Sequence, residues 1–307
     1  MKEQEKQTDR HTAICFGEVL WDVLPDGPQP GGAPLNVAYH LTRLGMPAKV
    51  VSKIGQDDNG LKLEALMSNW EIGTGLLQRD ETHPTSQVLA RMNNGNEVTY
   101  EIVFPVAWDF ISGTRQLTDA MAETGYFVYG SLASRHDATR QTLLELLEVH
   151  QSVHVFDVNL RPPFVSRSLL QSLLLKADIV KFNEAELDIM QTMFGGSYSG
   201  EYSKVAFISE AFNVPEVIVT KGEFGASYYK EGHAFHMASQ EVKVADTIGS
   251  GDSFLAAFLS GHSKKTQPSQ LLRNAVAMGS FIATRKGGCP DYTISEYQSF
   301  SESLTTI

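Results

Sequence analysis

D-T-I-G-S-G-D-S-F, residues 246–254, decides how this chain reads, because a glycine-rich turn there passes straight into the apolar, helix-forming run 254–259. Gly249 and Gly251 flank Ser250 and let the backbone turn tightly, so several N–H groups converge beside a helix N-terminus. Such a spot binds anions, since the helix dipole and the orphan N–H groups both favour phosphate or developing negative charge. Asp252 follows at once. A carboxylate beside an anion nest repels phosphate unless it serves the chemistry, and a general base fits: it takes the proton of an alcohol while the backbone donors hold the phosphoryl group under attack. The plainer alternative is a capped helix, since Asp and Ser are favoured N-cap residues.

Outward from that turn, apolar strand-like runs alternate with helical ones. Strands are predicted at 13–16, 49–54, 126–129, 153–158, 179–182 and 217–220, with a further pair at 226–230 and 234–236. Helices are predicted at 35–44, 61–70, 138–149, 206–212 and about 268–284. Parallel strands need crossover helices, so the fold class is α/β with a doubly wound, mostly parallel sheet. Two stretches break the alternation. The run 19–23 reads as the end of the first strand, delivering Asp22 to a loop, and D-G-P-Q-P-G-G-A-P (26–34) is dense in turn formers. S-Q-V-L-A-R-M (86–92) and E-V-T-Y-E-I-V (97–103) flank N-N-G-N and predict a β-hairpin. Segments about 19–33 and 84–110 are therefore expected to form a small β-sheet lid on one domain covering 12–307, after a polar tail at 1–11.

Polar residues gather just after apolar strands, on the side where an open parallel sheet binds ligands. In D-V-N-L-R-P (157–162), Asp157 and Asn159 can orient Arg161, a candidate partner for phosphate charge; surface ion pairing is the alternative. N-E-A-E (183–186) presents Asn183 and Glu186, though alone it is a good N-cap with an acidic first turn. Gly31 and Gly32 permit close backbone approach, and Asn36 offers donor and acceptor to adjacent hydroxyls, which suits a sugar. Arg91, Tyr100 and Phe104 either face that ligand from the lid or pack against the main domain.

The pattern D-T-x-G-x-G-D resembles the C-terminal signature of the ribokinase-like (PfkB) sugar kinases, and G-G-A-P-L-N-V-A-Y-H-L-T-R-L-G (31–45) resembles their N-terminal one. The resemblance spans about residues 12–290. It implies Asp252 as catalytic base, Gly249, Ser250 and Gly251 as the anion hole, and Asp22, Gly31, Gly32 and Asn36 at the sugar. It further implies that Asn183 and Glu186, as N-x-x-E, place Mg²⁺ and phosphate through water, and that Thr220, Gly222 and Gly225 in T-K-G-E-F-G contact ATP, with Asn274 facing adenine. Many members of the family also hold a monovalent cation between the start of D-T-x-G-x-G-D, here Asp246 and Ile248, and the turn after the last long helix, here T-R-K-G-G-C-P (284–290). K⁺ therefore joins ATP and Mg²⁺ as an expected cofactor. The implied reaction is phosphorylation of a primary alcohol of a small sugar by ATP.

Within the family the chain is most similar to fructokinases, in G-G-A-P-x-N, P-T-S at 84–86 and A-W-D-F at 107–110. The D-x-N-x-R pattern is shared with 2-keto-3-deoxygluconate kinases, and a non-catalytic sugar-binding regulator on the same fold is the alternative of another class. A homodimer formed through the lid is a further expectation.

Composition narrows the partners. The 307 residues are 42% hydrophobic and 20% charged, an ordinary globular balance, and a net charge of -11 argues against nucleic acid or anionic membrane. Cys15 and Cys289 have no C-x-x-C or histidine spacing around them, so neither a disulfide framework nor a structural zinc site is expected. The first ten residues lack a signal-peptide core and no run reaches membrane length, which points to the cytoplasm.

Overall fold

Short runs of β-branched and aromatic residues, bounded by Gly, Asn and Asp, settle as strands wherever both faces can be covered. The computed structural model describes residues 11–24, 27–93, 97–149 and 151–303, with backbone alone at 90–93 and 97–100. In chain order the elements are β1 (Ala13–Phe16), β2 (Leu20–Leu24), β3 (Gly27–Gly31), α1 (Ala33–Arg43), β4 (Ala48–Gly55), α2 (Asp58–Asn69), β5 (Leu77–Asp80), β6 (Ser86–Asn93) and β7 (Glu97–Ile102). Then follow α3 (Arg115–Glu123), β8 (Tyr126–Gly130), α4 (Asp137–Leu146), β9 (Val153–Asp157), α5 (Arg167–Leu174), β10 (Ile179–Asn183), α6 (Glu184–Phe194) and α7 (Glu201–Phe212). The chain continues with β11 (Glu216–Thr220), β12 (Ala226–Lys230), β13 (His233–Met237), α8 (Ser250–Ser263), α9 (Pro268–Ala283) and α10 (Ile294–Ser303).

The large sheet has the order β13-β12-β11-β10-β9-β8-β1-β4-β5, parallel from β5 to β11 and antiparallel at β12 and β13. Helices cover both faces, so β1 is buried along its whole length. One core layer contains Leu35 of α1, Phe258 of α8 and Met278 of α9; the other contains Leu143 of α4, Leu170 of α5 and Met190 of α6. The chain leaves β1 for β4 on one side and later adds β8 on the other. That reversal places a crevice outside the carboxyl ends of the central strands.

A second sheet, β3-β2-β6-β7, stands apart from the first. The predicted hairpin is present as β6 and β7, while its turn at 94–96 lies outside the described residues, as does most of the polar tail. Residues 19–23 do not prolong β1: Gly17, at φ +140°, breaks the strand, and β2 belongs to the small sheet with Asp22 in mid-strand, opposite Gln29 and Val88. The turn-forming stretch 26–34 is not wholly loop, because Pro28 and Pro30 sit on β3, an edge strand that can forgo their missing N–H groups. β5, α3, α5 and α10 were not predicted. Among the described residues no helix is long and apolar enough to cross a membrane.

Candidate active site

The N-terminus of α8 is built to be bare. Its N-cap is Gly249 at φ +75°, and no side chain caps the helix. Ser250 N–H turns back to Thr247 and Ser253 N–H to Gly249, whereas the N–H groups of Gly251 and Asp252 find no acceptor among the described residues. The capped-helix alternative is thus not what forms. Glycine at 249 is doubly required, by its left-handed backbone and because a Cβ there would lie 2.6 Å from Gly288 Cα.

This terminus opens into a cleft of about 950 Å³ between the large sheet and the small one. Asp252 lines it, with Oδ2 accepting a 2.8 Å hydrogen bond from Asn36 Nδ2. Burial, with the nearby Asp157 charge adding to it, pushes the Asp252 carboxyl up to about 6. Such a carboxylate is a stronger base than a solvated one yet still ionised at neutral pH. Lys181, in mid-β10, lies 3.4 Å from where a side chain on Gly251 would begin. Its ammonium donates to both Asp157 oxygens at 2.9 Å, and both residues are buried. Burial alone would depress this lysine, but Asp157 outweighs it and holds the pKa above the ordinary value. A permanent cation therefore stands beside the anion nest. Sequence reading passed over Lys181, although a lysine inside an otherwise apolar strand was a usable signal.

Opposite the nest, Asp22 projects from β2. Burial pushes its carboxyl up to about 6 against the opposing pull of Arg161. A side chain on Gly31 would collide with the Asp22 carboxylate and one on Gly32 with the Glu18 carbonyl, so the glycine pair lets backbone pass where Asp22 and Glu18 stand. Glu18 was not singled out from the sequence. It is 3% exposed, lines the cleft and leaves Oε2 without a hydrogen-bond partner among the described residues. Burial pushes it up to about 7.

A carboxyl raised from 4.5 to about 7 stabilises the fold below its unfolded pKa, and that contribution is lost as pH rises through the folded value. Glu18→Gln should match the wild type in urea at pH 4.5 and exceed it at pH 8 by roughly 3 kcal/mol, the worth of that displacement. Equal midpoints at pH 8 would show the carboxylate to be solvated instead.

On the other flank, Asn183 and Glu186 form a reciprocal capping box on α6: Glu186 N–H donates to Asn183 Oδ1 and Asn183 N–H to Glu186 Oε2, each at 2.8 Å. Glu186 Oε1 accepts from Leu160 N–H at 3.0 Å, which ties α6 to the segment carrying Arg161. The helix-cap alternative is realised here, and it also fixes the carboxylate at the cleft wall. Each oxygen keeps a second lone pair for a water of a Mg²⁺ shell, so the residues fit an outer-sphere role. No group of three or more His, Cys, Asp or Glu side chains able to hold a metal occurs among the described residues. Arg161 lines the cleft, its guanidinium donating to its own segment's Leu160 carbonyl at 3.0 Å. Asn159, two residues earlier, takes φ +38°, an uncommon conformation that Asn tolerates. Thr220 closes this side.

Asp246 joins the two loops named for a monovalent cation. Its Oδ1 accepts from Ile248 N–H at 3.0 Å and its Oδ2 from Gly287 N–H at 2.9 Å. One lone pair per oxygen remains, a hard donor set that fits such an ion.

Several named residues lie elsewhere. Asn274 accepts from Gln270 at 2.7 Å and lines a separate cavity with Lys264 and Tyr297, away from Asp252. Phe104 is half exposed and sits beside Phe164, outside the cleft lining. The Arg91 and Tyr100 side chains lie outside the described residues. Gly222 opens a single 3₁₀ turn after β11 and Gly225 caps it, and neither lines the cleft. At Gly225 a side chain would strike the backbone of Met237, which explains glycine there by packing.

A pfkB family carbohydrate kinase model matches residues 13–294. The probable fructokinase-3 of Arabidopsis thaliana is 27% identical over 308 residues, covering 90% of this chain and 87% of that relative. The structure of a fructokinase with bound ATP from Xylella fastidiosa superposes with a TM-score of 0.85 at 23% identity, over 96% of this chain and 99% of that one. A double mutant of the fructokinase from Vibrio cholerae O395, in fructose, ADP and potassium ion bound form, gives 0.81 at 22% identity, over 96% and 99%. The chain belongs to the pfkB family of carbohydrate kinases, on a ribokinase-like α/β fold with a small separate sheet.

Proposed function

We propose that this carbohydrate kinase transfers the γ-phosphoryl group of ATP to the primary 6-hydroxyl of fructose. The observation that carries the reading is Asp252, its pKa raised by burial and its side chain held by Asn36, beside the bare N-terminus of α8. The Asp252 carboxylate takes the hydroxyl proton as the sugar oxygen bonds to the γ-phosphorus and the bond to ADP breaks; the proton later passes to water. The N–H groups at Gly251 and Asp252 and the Lys181 ammonium stabilise the charge on the moving phosphoryl. Mg²⁺, when bound, neutralises charge on the ATP phosphates. The relative bound to potassium supports K⁺ at Asp246, where it would steady the turn leading to the nest.

Fructose is favoured over 2-keto-3-deoxygluconate by charge. Glu18 and Asp22 both face the cleft, so a substrate carboxylate would meet two acids, opposed by Arg161 and by Lys181, whose charge Asp157 already engages. A coupled ADP-release assay with fructose, ribose and 2-keto-3-deoxygluconate, repeated with KCl titrated at fixed ionic strength, tests this. Fructose should give the highest kcat/KM, and KCl should raise kcat. Preference for the acidic sugar overturns the assignment, and a flat KCl response removes the cation.

A further inference from the structure

The hydrogen bond from Asn36 to Asp252 fixes more than the base. An ionised carboxylate only accepts, so the amide must turn its NH₂ towards Asp252 and its oxygen away. An amide oxygen in that buried position needs a donor of its own. Cys289 supplies it, with Sγ 3.2 Å from Asn36 Oδ1. Burial, with the Asp252 and Asp22 charges, keeps this thiol well above its ordinary pKa, so the proton stays available to donate.

The turn bearing Cys289 is pinned to α1, the helix that carries Asn36. Buried His40 pairs Nε2 with the Gly288 carbonyl at 2.9 Å and Nδ1 with the Tyr292 hydroxyl at 3.0 Å, while the Tyr39 hydroxyl donates to the Pro290 carbonyl at 2.7 Å. A carbonyl only accepts, which places the ring proton on Nε2 and leaves Nδ1 to accept from Tyr292. Gly288 completes the fit, because a Cβ there would lie 2.7 Å from Asn36 Nδ2.

We propose that Cys289 is a positioning residue for phosphoryl transfer: its S–H anchors the Asn36 amide, so that Nδ2 holds one oxygen of Asp252 and leaves the other for the sugar hydroxyl. This rests on the kinase reading of Asp252, so the test pairs kinetics with a measurement that needs no turnover. Cys289→Ala should lower kcat about tenfold, the scale of a small misplacement of a reacting group, and leave KM for ATP unchanged. Because the Asn36 hydrogen bond depresses the Asp252 pKa, the acid limb of kcat should also move to higher pH. Cys289→Ser, which keeps a donor, should recover most of both changes.

Independently, the infrared S–H stretch of Cys289 in the wild type should lie below that of Cys15, and Asn36→Ala should return it to the free position. Wild-type kcat with an unmoved limb in Cys289→Ala overturns the inference, as does a serine variant no better than alanine. If the alanine variant does not fold, an unshifted wild-type S–H band overturns it alone. A shifted band in a protein that phosphorylates no sugar would keep the thiol contact and discard the kinase reading.

Discussion

Asp252→Asn should bind sugar and ATP as the wild type does and turn over about 10²–10⁴-fold more slowly, a loss of roughly 3–5 kcal/mol in transition-state stabilisation. The substitution keeps the shape of the side chain, and its amide oxygen can still accept from Asn36, so the nest keeps its geometry. What it removes is the proton acceptor. The wild-type kcat should fall on the acid side with a pKa near the folded value of about 6, and that limb should vanish in the variant. Stability separates this from misfolding. A carboxyl raised by burial contributes stability that disappears as pH rises through its folded pKa, so the uncharged variant should melt no lower than the wild type at pH 8. Turnover within tenfold of wild type, with folding intact, would remove Asp252 as the base. An inactive variant that also melts much lower would mean that the carboxylate holds the site together instead of reacting.

The expected bareness of the α8 terminus was legible because glycine at 249 and 251 is itself a backbone statement. The central strands were legible for a related reason: buried on both faces, they read as continuous apolar runs such as Ala13–Phe16. β3 was not, since Pro-Gln-Pro carries no strand signal and is tolerated only because its edge position asks for few N–H groups. β2 misled for a different reason. Its residues continue the apolar run of β1, and only the pairing of Asp22 with Gln29 and Val88 assigns it to another sheet. Helix register decides which cavity a side chain of α9 enters: each residue turns about 100° around the axis, so Asn274 lines one cavity with Lys264 and Tyr297 while Arg273, Val276 and Ala277 line another beside the loop after β13. The partnerships of Asn36, joining residues 216 and 253 positions apart, could not be read from local pattern at all.

Asp157→Asn should be the most costly conservative change in the cleft, because it strips a buried ammonium of its counter-charge. Lys181 and Asp157 are buried together, their side chains 8% and 6% exposed, and both contacts are 2.9 Å. Breaking such a pair from one side costs about 3–5 kcal/mol, since the remaining ion keeps its desolvation penalty and loses its partner. The asparagine oxygen can still accept one hydrogen bond, so the low end of that range is expected from urea midpoints at pH 7. The same substitution should act on Asp252 in a direction fixed by the order of its neighbours. After burial, the Asp157 charge is the chief influence raising the Asp252 pKa, and Lys181 is among those lowering it. Removing the first while keeping the second should shift the acid limb of kcat below about 6. Asp157→Leu combined with Lys181→Met should recover most of the lost stability, as apolar replacement of a whole buried pair commonly does. It should recover none of the activity, because the cation beside Gly251 is gone. A single variant within about 1 kcal/mol of the wild type, or a limb that moves upward, would show that the pair is solvated and that Asp252 takes its basicity from elsewhere.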